Sequence, residues 1–218
     1  VDMNSAGDRV VVGAWFAASA SLPIGSGQIS CYEFTNGSWN QLGNYINGEA
    51  TFDYFGISSA INASGNIIAG GAYHNDGING YNSGHVRVYE YIAGVWTQLG
   101  NDIDGEAPDD RCGWSVALNN SGYRVAVGSP QNDGNGSNSG SARVYDWNGT
   151  SWSQVGSDIN GEAVGDHSGN SVSLNASGNI LAIGAIYNQD NGSNSGHVRV
   201  YEYIGNSWVQ MGGDIAVS

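Results

Sequence analysis

Short stretches of apolar residues, separated by clusters of Gly, Asn and Ser, run along the whole chain. In residues 171–175, 180–185, 197–203 and 207–212 the apolar residues either alternate with polar ones or form short β-branched and aromatic runs. This pattern is typical of β-strands, and no segment has the period of about 3.6 residues that marks an amphipathic helix. The N-x-S-G sequence at 175–178 and its copies favour tight turns between strands. The pattern therefore predicts an all-β protein made of short strands.

The same four-strand pattern recurs four times. A tryptophan and a glutamate repeat with a spacing of 56 or 57 residues, at Trp39, Trp96, Trp152 and Trp208 and at Glu49, Glu106 and Glu162. No linker separates the units, so we predict a single domain over residues 1–218 with repeats at 1–56, 57–113, 114–169 and 170–218. Four-stranded units repeated head to tail are typical of a β-propeller, in which stacked blades bury the faces that one blade cannot bury alone.

The two ends of the chain fit a closed ring. Residues 1–4 align with residues 172–175, so the first repeat begins on its first strand, and Ser218 takes the place of Ser171. Four blades are within the range of closed propellers. We therefore expect a closed four-blade ring, and a four-blade part of a longer array is the alternative.

Short glycine motifs stand at the start of the first strand and at the end of the second. They are Phe55-Gly56 followed by Ser59, Gly128-Ser129-Pro130, and the looser copies Cys112-Gly113 with Ser115, Ser168-Gly169 with Ser171, Gly13-Ala14, Gly71-Ala72 and Gly184-Ala185. These motifs resemble the FG-GAP repeat, the blade of the integrin α-subunit propeller and of its bacterial relatives. The resemblance covers all four repeats and implies a propeller. It leaves the function open, since the family includes adhesion, ligand-binding and structural proteins.

The chain departs from the family at the turn between the first two strands. The family often has a calcium loop of the D-x-D-x-D-G type there, whereas these positions read Asn4–Gly7, Asn62–Gly65, Asn119–Gly122 and Asn175–Gly178. Without carboxylates a calcium ion lacks charged oxygen ligands, so we expect no metal at these turns and no cofactor. The one calcium site left open is a weak one in the loops of Asp76, Asp133 and Asp190, where each loop offers a single acid.

The charge of the chain limits its partners. Acidic residues outnumber basic ones by 20 to 6, which gives a net charge of −14, and all six cations are arginine. A nucleic-acid-binding protein needs a basic surface, and so does a protein that binds anionic membranes. No apolar run approaches the roughly 18 residues of a membrane span, and no leader segment is recognisable. The acidic, lysine-free surface favours a secreted or cell-surface protein.

Residues that break the repeat are the best candidates for a binding site, because the scaffold does not require them. The loops from strand two to three and from strand four to the next blade share one face, which we call the upper face. The candidate ligand-binding residues at this face are Trp15, Tyr73, His74, Arg111, Trp114, His167 and Tyr187. Aromatic surfaces with Asn and Asp neighbours are suited to sugars or peptides. The alternative is that these side chains pack between loops and fill the central channel.

Charged residues that recur in each repeat are interpreted as having structural roles. The upper-face acids Asp76, Asp133, Asp190, Glu106, Glu162, Asp110 and Asp166 are expected to form turns or to carry solvated charge, with a metal or ligand surface as the alternative. The third-strand arginines Arg87, Arg143 and Arg199 are expected to pair with Glu90, Asp146 and Glu202 or with an acid of the next blade.

These observations favour a non-catalytic extracellular module that binds glycan or protein through its upper-face loops. The first alternative is a structural repeat unit of an extracellular filament, matrix or adhesin array, which would meet neighbouring repeats or copies of itself. The second alternative is a glycoside-active enzyme, which would need two carboxylates about 5–9 Å apart. We expect no enzyme, because the sequence has no isolated acid pair, no Ser/His/Asp arrangement and no phosphate loop.

Overall fold

Every regular element of the protein is a β-strand within residues 1–18 and 22–216, the ranges that the computed structural model describes. The strands form four antiparallel sheets, each with four strands in chain order. The predicted fold class, four four-stranded blades, is therefore confirmed. In these ranges no helix is long and apolar enough to cross a membrane.

The first two sheets are blade 1 and blade 2. Blade 1 contains β1 (Asp2–Met3), β2 (Arg9–Ala14), β3 (Gln28–Thr35) and β4 (Ser38–Asn47). Blade 2 contains β5 (Ser58–Ile61), β6 (Ile67–Ala72), β7 (His85–Ile92) and β8 (Val95–Gln98), and β9 (Ile103–Asp104) pairs with the start of β7.

The last two sheets follow the same plan. Blade 3 contains β10 (Ser115–Leu118), β11 (Arg124–Ser129), β12 (Ser141–Trp147) and β13 (Trp152–Gln154), with β14 (Ile159–Asn160) paired to β12. Blade 4 contains β15 (Ser168–Leu174), β16 (Ile180–Ala185), β17 (His197–Ile204) and β18 (Ser207–Gln210), with β19 (Ile215–Ala216) paired to β17.

An asparagine closes the turn between the first two strands of each blade. In blade 2 the side-chain oxygen of Asn62 accepts hydrogen bonds of 3.0 Å from the backbone N–H groups of Asn66 and Ile67. Asn4, Asn119 and Asn175 make equivalent bonds in the other blades. The asparagine side chain thus mimics a backbone acceptor and closes the turn in each blade.

Apolar side chains fill the space between neighbouring blades. We call the face of a blade that packs on the following blade its trailing face, and the opposite face its leading face. The first core joins Val11, Ile29, Cys31 and Ile46 of blade 1 with Ile61, Ile68, Tyr89 and Trp96 of blade 2. Two further cores join blades 2 and 3 and blades 3 and 4 in the same way. The alternation of apolar residues on both faces of each sheet therefore produces one core per junction.

The strand-four tryptophan completes each junction. The indole N–H of Trp96 donates a hydrogen bond of 2.8 Å to the carbonyl of Leu42 in blade 1. Trp152 and Trp208 make the same bond to the preceding blade. The predicted core role of these side chains is confirmed in blade 2, where Trp96 is 4% exposed. Trp39 of blade 1 is 46% exposed.

Glycines bring the backbones of adjacent blades into direct contact. A Cβ atom on Gly13, Gly71 or Gly128 would overlap the carbonyl oxygen of the glycine that begins the next blade. Gly184 has the same position in blade 4, and the atoms nearest its Cβ position belong to Ser171 of its own blade. The glycine pairs predicted from the FG-GAP resemblance thus form the seam between blades.

The predicted closed ring is not confirmed. Within the described residues the four blades share three apolar cores, whereas a closed ring of four would have four. Ile215 on the trailing face of blade 4 is 59% exposed, while Ile46, its counterpart in blade 1, is 6% exposed. Ser218, on which the closure prediction partly depended, lies outside the described residues. The structure thus shows four blades in sequence, and the alternative of a four-blade part of a longer array stays a prediction.

Candidate functional site

Three side chains reach the upper face from one unusual backbone position. Tyr54, Arg111 and His167 precede the first strands of blades 2, 3 and 4, with φ angles of 57°, 58° and 55°. A non-glycine residue in this left-handed region costs about 1–2 kcal/mol. Each is held there by its N–H, which donates to a carbonyl of the preceding blade, as His167 does to Asn138 at 3.2 Å.

Aromatic rings form a continuous group around Tyr54. The ring of Tyr54 lies 5.3 Å from that of Trp15, 5.6 Å from Tyr73 and 5.0 Å from His74. Tyr73 in turn contacts Trp114 edge-on at 4.8 Å. The structure thus brings together four of the predicted site residues, and adds Tyr54.

A pocket lies beside this group. It has a volume of about 200 Å³. Its walls include Arg111, Trp114, His167 and Tyr187. His167 and Tyr187 meet edge-on at 5.0 Å, and the guanidinium of Arg111 lies 5.8 Å from the ring centre of Tyr73. Arg111 therefore joins the aromatic group to the pocket, and the seven predicted site residues form one continuous surface.

Arg111 differs from the other five arginines. Arg9, Arg87, Arg124, Arg143 and Arg199 each lie within 4.0 Å of a carboxylate oxygen. Among the described residues Arg111 has no such partner, and this absence distinguishes it, since Nε lacks an acceptor in Arg87, Arg143 and Arg199 as well. In a chain with a net charge of −14, an unpaired guanidinium in a pocket favours the binding of a negatively charged group.

The pKa values of the histidines are shifted by their surroundings. Burial, and secondarily the positive charge of Arg111, lower the pKa of His167, while Asp166 opposes the shift. The pKa of His74 is lowered by burial and by Arg111 as well. A lowered pKa leaves the imidazole of His167 neutral at pH 7, which is the form that accepts a proton.

The predicted partners of the third-strand arginines are wrong. Arg87 pairs with Glu49 at 3.6 Å, and Arg143 and Arg199 pair with Glu106 and Glu162 at 3.5 and 3.8 Å. These acids lie in the loop that enters the blade, not on the strand or in the next blade. Residues three apart on a strand point to opposite faces, so Glu90 cannot reach the face that Arg87 occupies.

Most of the upper-face acids have the expected structural role, because their carboxylates accept hydrogen bonds from the backbone. Asp110 and Asp166 are buried and accept hydrogen bonds of 3.0 Å from the N–H groups of Ala107 and Ala163. Asp76 and Asp133 accept from backbone N–H groups within their own loops.

Sequence reasoning missed two clusters that combine histidine with carboxylates. The first comprises Glu162, Asp190, His197 and Asp214, and the second comprises Glu49, His85 and Asp102. The signal that could have found them is the histidine that begins the third strand in blades 2 and 4, where blade 3 has Ser141.

The fold and the glycine seam define a β-propeller of four blades. A sequence model of the FG-GAP repeat matches residues 103–145 and 160–201 of this chain. The resemblance inferred from the glycine motifs is therefore confirmed. No curated protein matches the sequence.

Two solved structures share the fold. The periplasmic gluconolactonase of Pseudomonas aeruginosa matches with a TM-score of 0.63 at 13% identity, over 100% of this chain and 56% of that protein. A candidate 6-phosphogluconolactonase from Bacteroides uniformis matches with a TM-score of 0.52 at 10% identity, over 99% of this chain and 71% of that protein. The chain thus spans about half the length of the first of these proteins.

These matches correct two predictions. The non-catalytic extracellular module that binds glycan or protein for adhesion is overturned, because both matched structures are described as lactonases and neither as an adhesion protein. The prediction that the chain is not an enzyme is overturned on the same ground. At 10–13% identity the shared property is the fold, so the chemistry has to be argued from this chain's own residues.

Proposed function

We propose that the pocket of Arg111, Trp114 and His167 belongs to a hydrolytic enzyme that opens the lactone of a sugar acid. The observation that carries this proposal is the unpaired guanidinium of Arg111 in the same pocket as His167. The two lactonase structures that share the fold support the choice of substrate class.

Each pocket residue has a role in this reaction. Neutral His167 takes a proton from water, and the water oxygen bonds to the lactone carbonyl carbon. Arg111 stabilises the negative charge that develops on the carbonyl oxygen, and Trp114 packs against the C–H face of the sugar ring. The bond from the carbonyl carbon to the ring oxygen then breaks. The ring oxygen receives the proton from His167, so the product is the open acid.

The proposal also covers the location. One of the matched structures is a periplasmic protein, and this chain is acidic and contains no lysine. Both observations support a site of action outside the cytoplasm.

Hydrolysis of glucono-1,5-lactone tests the activity. We expect the protein to raise the rate above the spontaneous one, followed by acid release at constant pH. His167→Ala should lower the rate by about 100-fold or more, as the loss of a general base does. Arg111→Ala should lower it by a similar factor, as the loss of an oxyanion donor does. Because the pKa of His167 is lowered, the rate should hold at pH 7 and fall as the pH drops below the usual value of about 6.5.

Tyr123→Ala is the control, because Tyr123 is 41% exposed, its hydroxyl contacts Glu90, and it does not line the pocket. It should keep the rate of the unchanged protein. A rate equal to the spontaneous one would refute lactone hydrolysis, and equal rates for His167→Ala and the unchanged protein would refute the assignment of the site.

A second candidate function is a structural repeat unit that joins further blades end to end. Its support is the pair of exposed apolar end faces. Val10, Val12, Tyr32 and Trp39 form the leading face of blade 1, and Val200 and Ile215 lie on the trailing face of blade 4. Faces of these two kinds pack on each other at all three junctions. The leading face of a second copy therefore fits the trailing face of blade 4.

Sedimentation over a range of concentrations tests this candidate. We expect association that Trp39→Asp or Ile215→Asp abolishes, because each change places a charge on one of the contacting faces. Val95→Asp is the control, since Val95 is equally exposed but lies on a strand hairpin away from both end faces. A monomer at every concentration would exclude end-to-end assembly of this chain.

A further inference from the structure

The first histidine–carboxylate cluster lies at the upper end of blade 4. Glu162, Asp190, His197 and Asp214 each offer one ligand atom, and these atoms lie within 4.8 Å of one another. Glu162 comes from the loop that enters the blade, Asp190 from the loop between β16 and β17, and Asp214 from the segment before β19. His197 begins β17. Three separate loops thus converge on one imidazole.

His197 is the observation that points to a ligand. It is 5% exposed, and neither ring nitrogen has a hydrogen-bond partner. Its Nδ1 lies 3.4 Å from a carboxylate oxygen of Asp214 and 3.7 Å from one of Glu162. Buried polar groups are nearly always paired, and an orphaned imidazole facing carboxylates lacks the partner that its burial requires.

The distances between the ligand atoms fit a single cation bound by all of them. Ligand atoms held at about 2.1 Å from Zn²⁺ in a tetrahedral arrangement lie about 3.4 Å apart. The Nδ1–oxygen distances of 3.4 and 3.7 Å are close to this value. The carboxylates are exposed while the imidazole is buried, so a cation can enter from solvent and meet the nitrogen at the base of the cluster.

The charge of the cluster also favours a cation. Three carboxylates meet there, while the guanidinium of Arg199 lies 3.8 Å from Glu162, so negative charge exceeds positive charge in the cluster. The amide of Gln210 donates a hydrogen bond of 2.8 Å to Oδ1 of Asp214, which fixes the carboxylate with its other oxygen towards His197.

The repeats supply internal comparisons. In blade 2, Nδ1 of His85 lies 3.4 Å from Asp102, Nε2 has no partner, and Glu49 completes the group. The amide of Gln98 donates to Asp102 at 2.7 Å, as Gln210 does to Asp214. Blade 3 keeps the corresponding acids Glu106 and Asp158, but Ser141 replaces the histidine.

We propose that the His197 cluster binds a divalent transition-metal ion, with Zn²⁺ as the best fit, and that the His85 cluster is a second, weaker site. An imidazole ligand favours Zn²⁺ over Ca²⁺ and Mg²⁺, which prefer oxygen ligands alone. The blade 4 site is the tighter of the two because it has three carboxylates and the blade 2 site has two. The bound ion links three loops at the edge of the array.

Titration of the metal-free full chain with Zn²⁺ in competition with a chromogenic chelator tests the proposal. We expect two ions per chain. His197→Gln should remove the tighter site, weakening it by more than about 100-fold, since even the loss of a ligand's hydrogen-bond partner costs 10–100-fold. His85→Gln should remove the weaker site alone. Ser141→His should add a third site in blade 3, where the acids are already present.

Asp214→Asn is the second variant for the blade 4 site, because Asp214 is partly exposed and its replacement keeps the shape of the side chain. Far-UV circular dichroism reports whether each variant folds. Equal Zn²⁺ affinity in the unchanged protein, His197→Gln and Asp214→Asn would overturn the site. Binding of Ca²⁺ as tight as that of Zn²⁺ would also overturn it. The titration contains no substrate, so its outcome is independent of whether the protein hydrolyses lactones.

Discussion

Replacing Trp96 by alanine is expected to lower the free energy of unfolding by about 3–5 kcal/mol, the usual cost of removing a large buried aromatic side chain. Trp96 is 4% exposed, packs in the first core, and donates its indole N–H to the carbonyl of Leu42. The substitution leaves a cavity between blades 1 and 2 and an unpaired carbonyl. Urea unfolding at low protein concentration measures the loss.

Trp39→Ala is the matched comparison, because Trp39 occupies the same position in blade 1 and is 46% exposed. Its replacement should cost less than about 1 kcal/mol, as surface substitutions usually do. An equal cost at the two positions would contradict the exposure of the leading face of blade 1, since it would mean that another blade covers it.

Gly71→Ala is expected to destabilise the protein by about 3 kcal/mol, at the upper end of the cost of overpacking. A Cβ atom at Gly71 would overlap the carbonyl oxygen of Gly113 and approach the side chain of Ser58. The carbonyl belongs to the backbone of blade 3, so no side-chain rotation relieves the overlap. The blades have to move apart, and the second core opens.

Gly184→Ala is the matched change at the seam position of blade 4. There the nearest atom is the hydroxyl of Ser171, which can rotate away. We expect a change of less than about 1 kcal/mol, because Gly184 has an ordinary φ and the atoms nearest the added methyl group all belong to Ser171. Thermal unfolding of the two variants side by side checks the difference. Similar destabilisation of both would show that glycine is needed at these positions because of strand geometry and not because of contact between blades.

The strands and blades could be predicted from two features of the sequence. The order of apolar and polar residues indicates the strands, and the spacing of the repeats indicates the blades. Apolar alternation in β7 and β17 and the regular spacing of Trp39 and Trp96 fix the unit and its core. Closure could not be predicted in this way. It depends on the rotation between neighbouring sheets, and the spacing of the repeats carries no information on that rotation.

The candidate site was only partly predictable. Arg111, Trp114 and His167 could be identified because each differs from the residues at the same position of the other repeats. The scaffold alone does not require such differences. That Arg111 lacks an acid could not be predicted, because pairing depends on loops. The partners of Arg87 were wrong for the same reason. The carboxylates around His197 come from three loops, and only the histidine itself breaks the repeat.

The left-handed position before the first strand of blades 2, 3 and 4 has a consequence for how such a protein diversifies. Tyr54, Arg111 and His167 share one backbone conformation and differ in chemistry: a phenol, a guanidinium and an imidazole. One substitution per repeat therefore changes the reactive groups displayed at the upper face while the main chain stays the same. Duplication of a repeat copies this position together with its blade, so ligand preference and scaffold size can evolve separately.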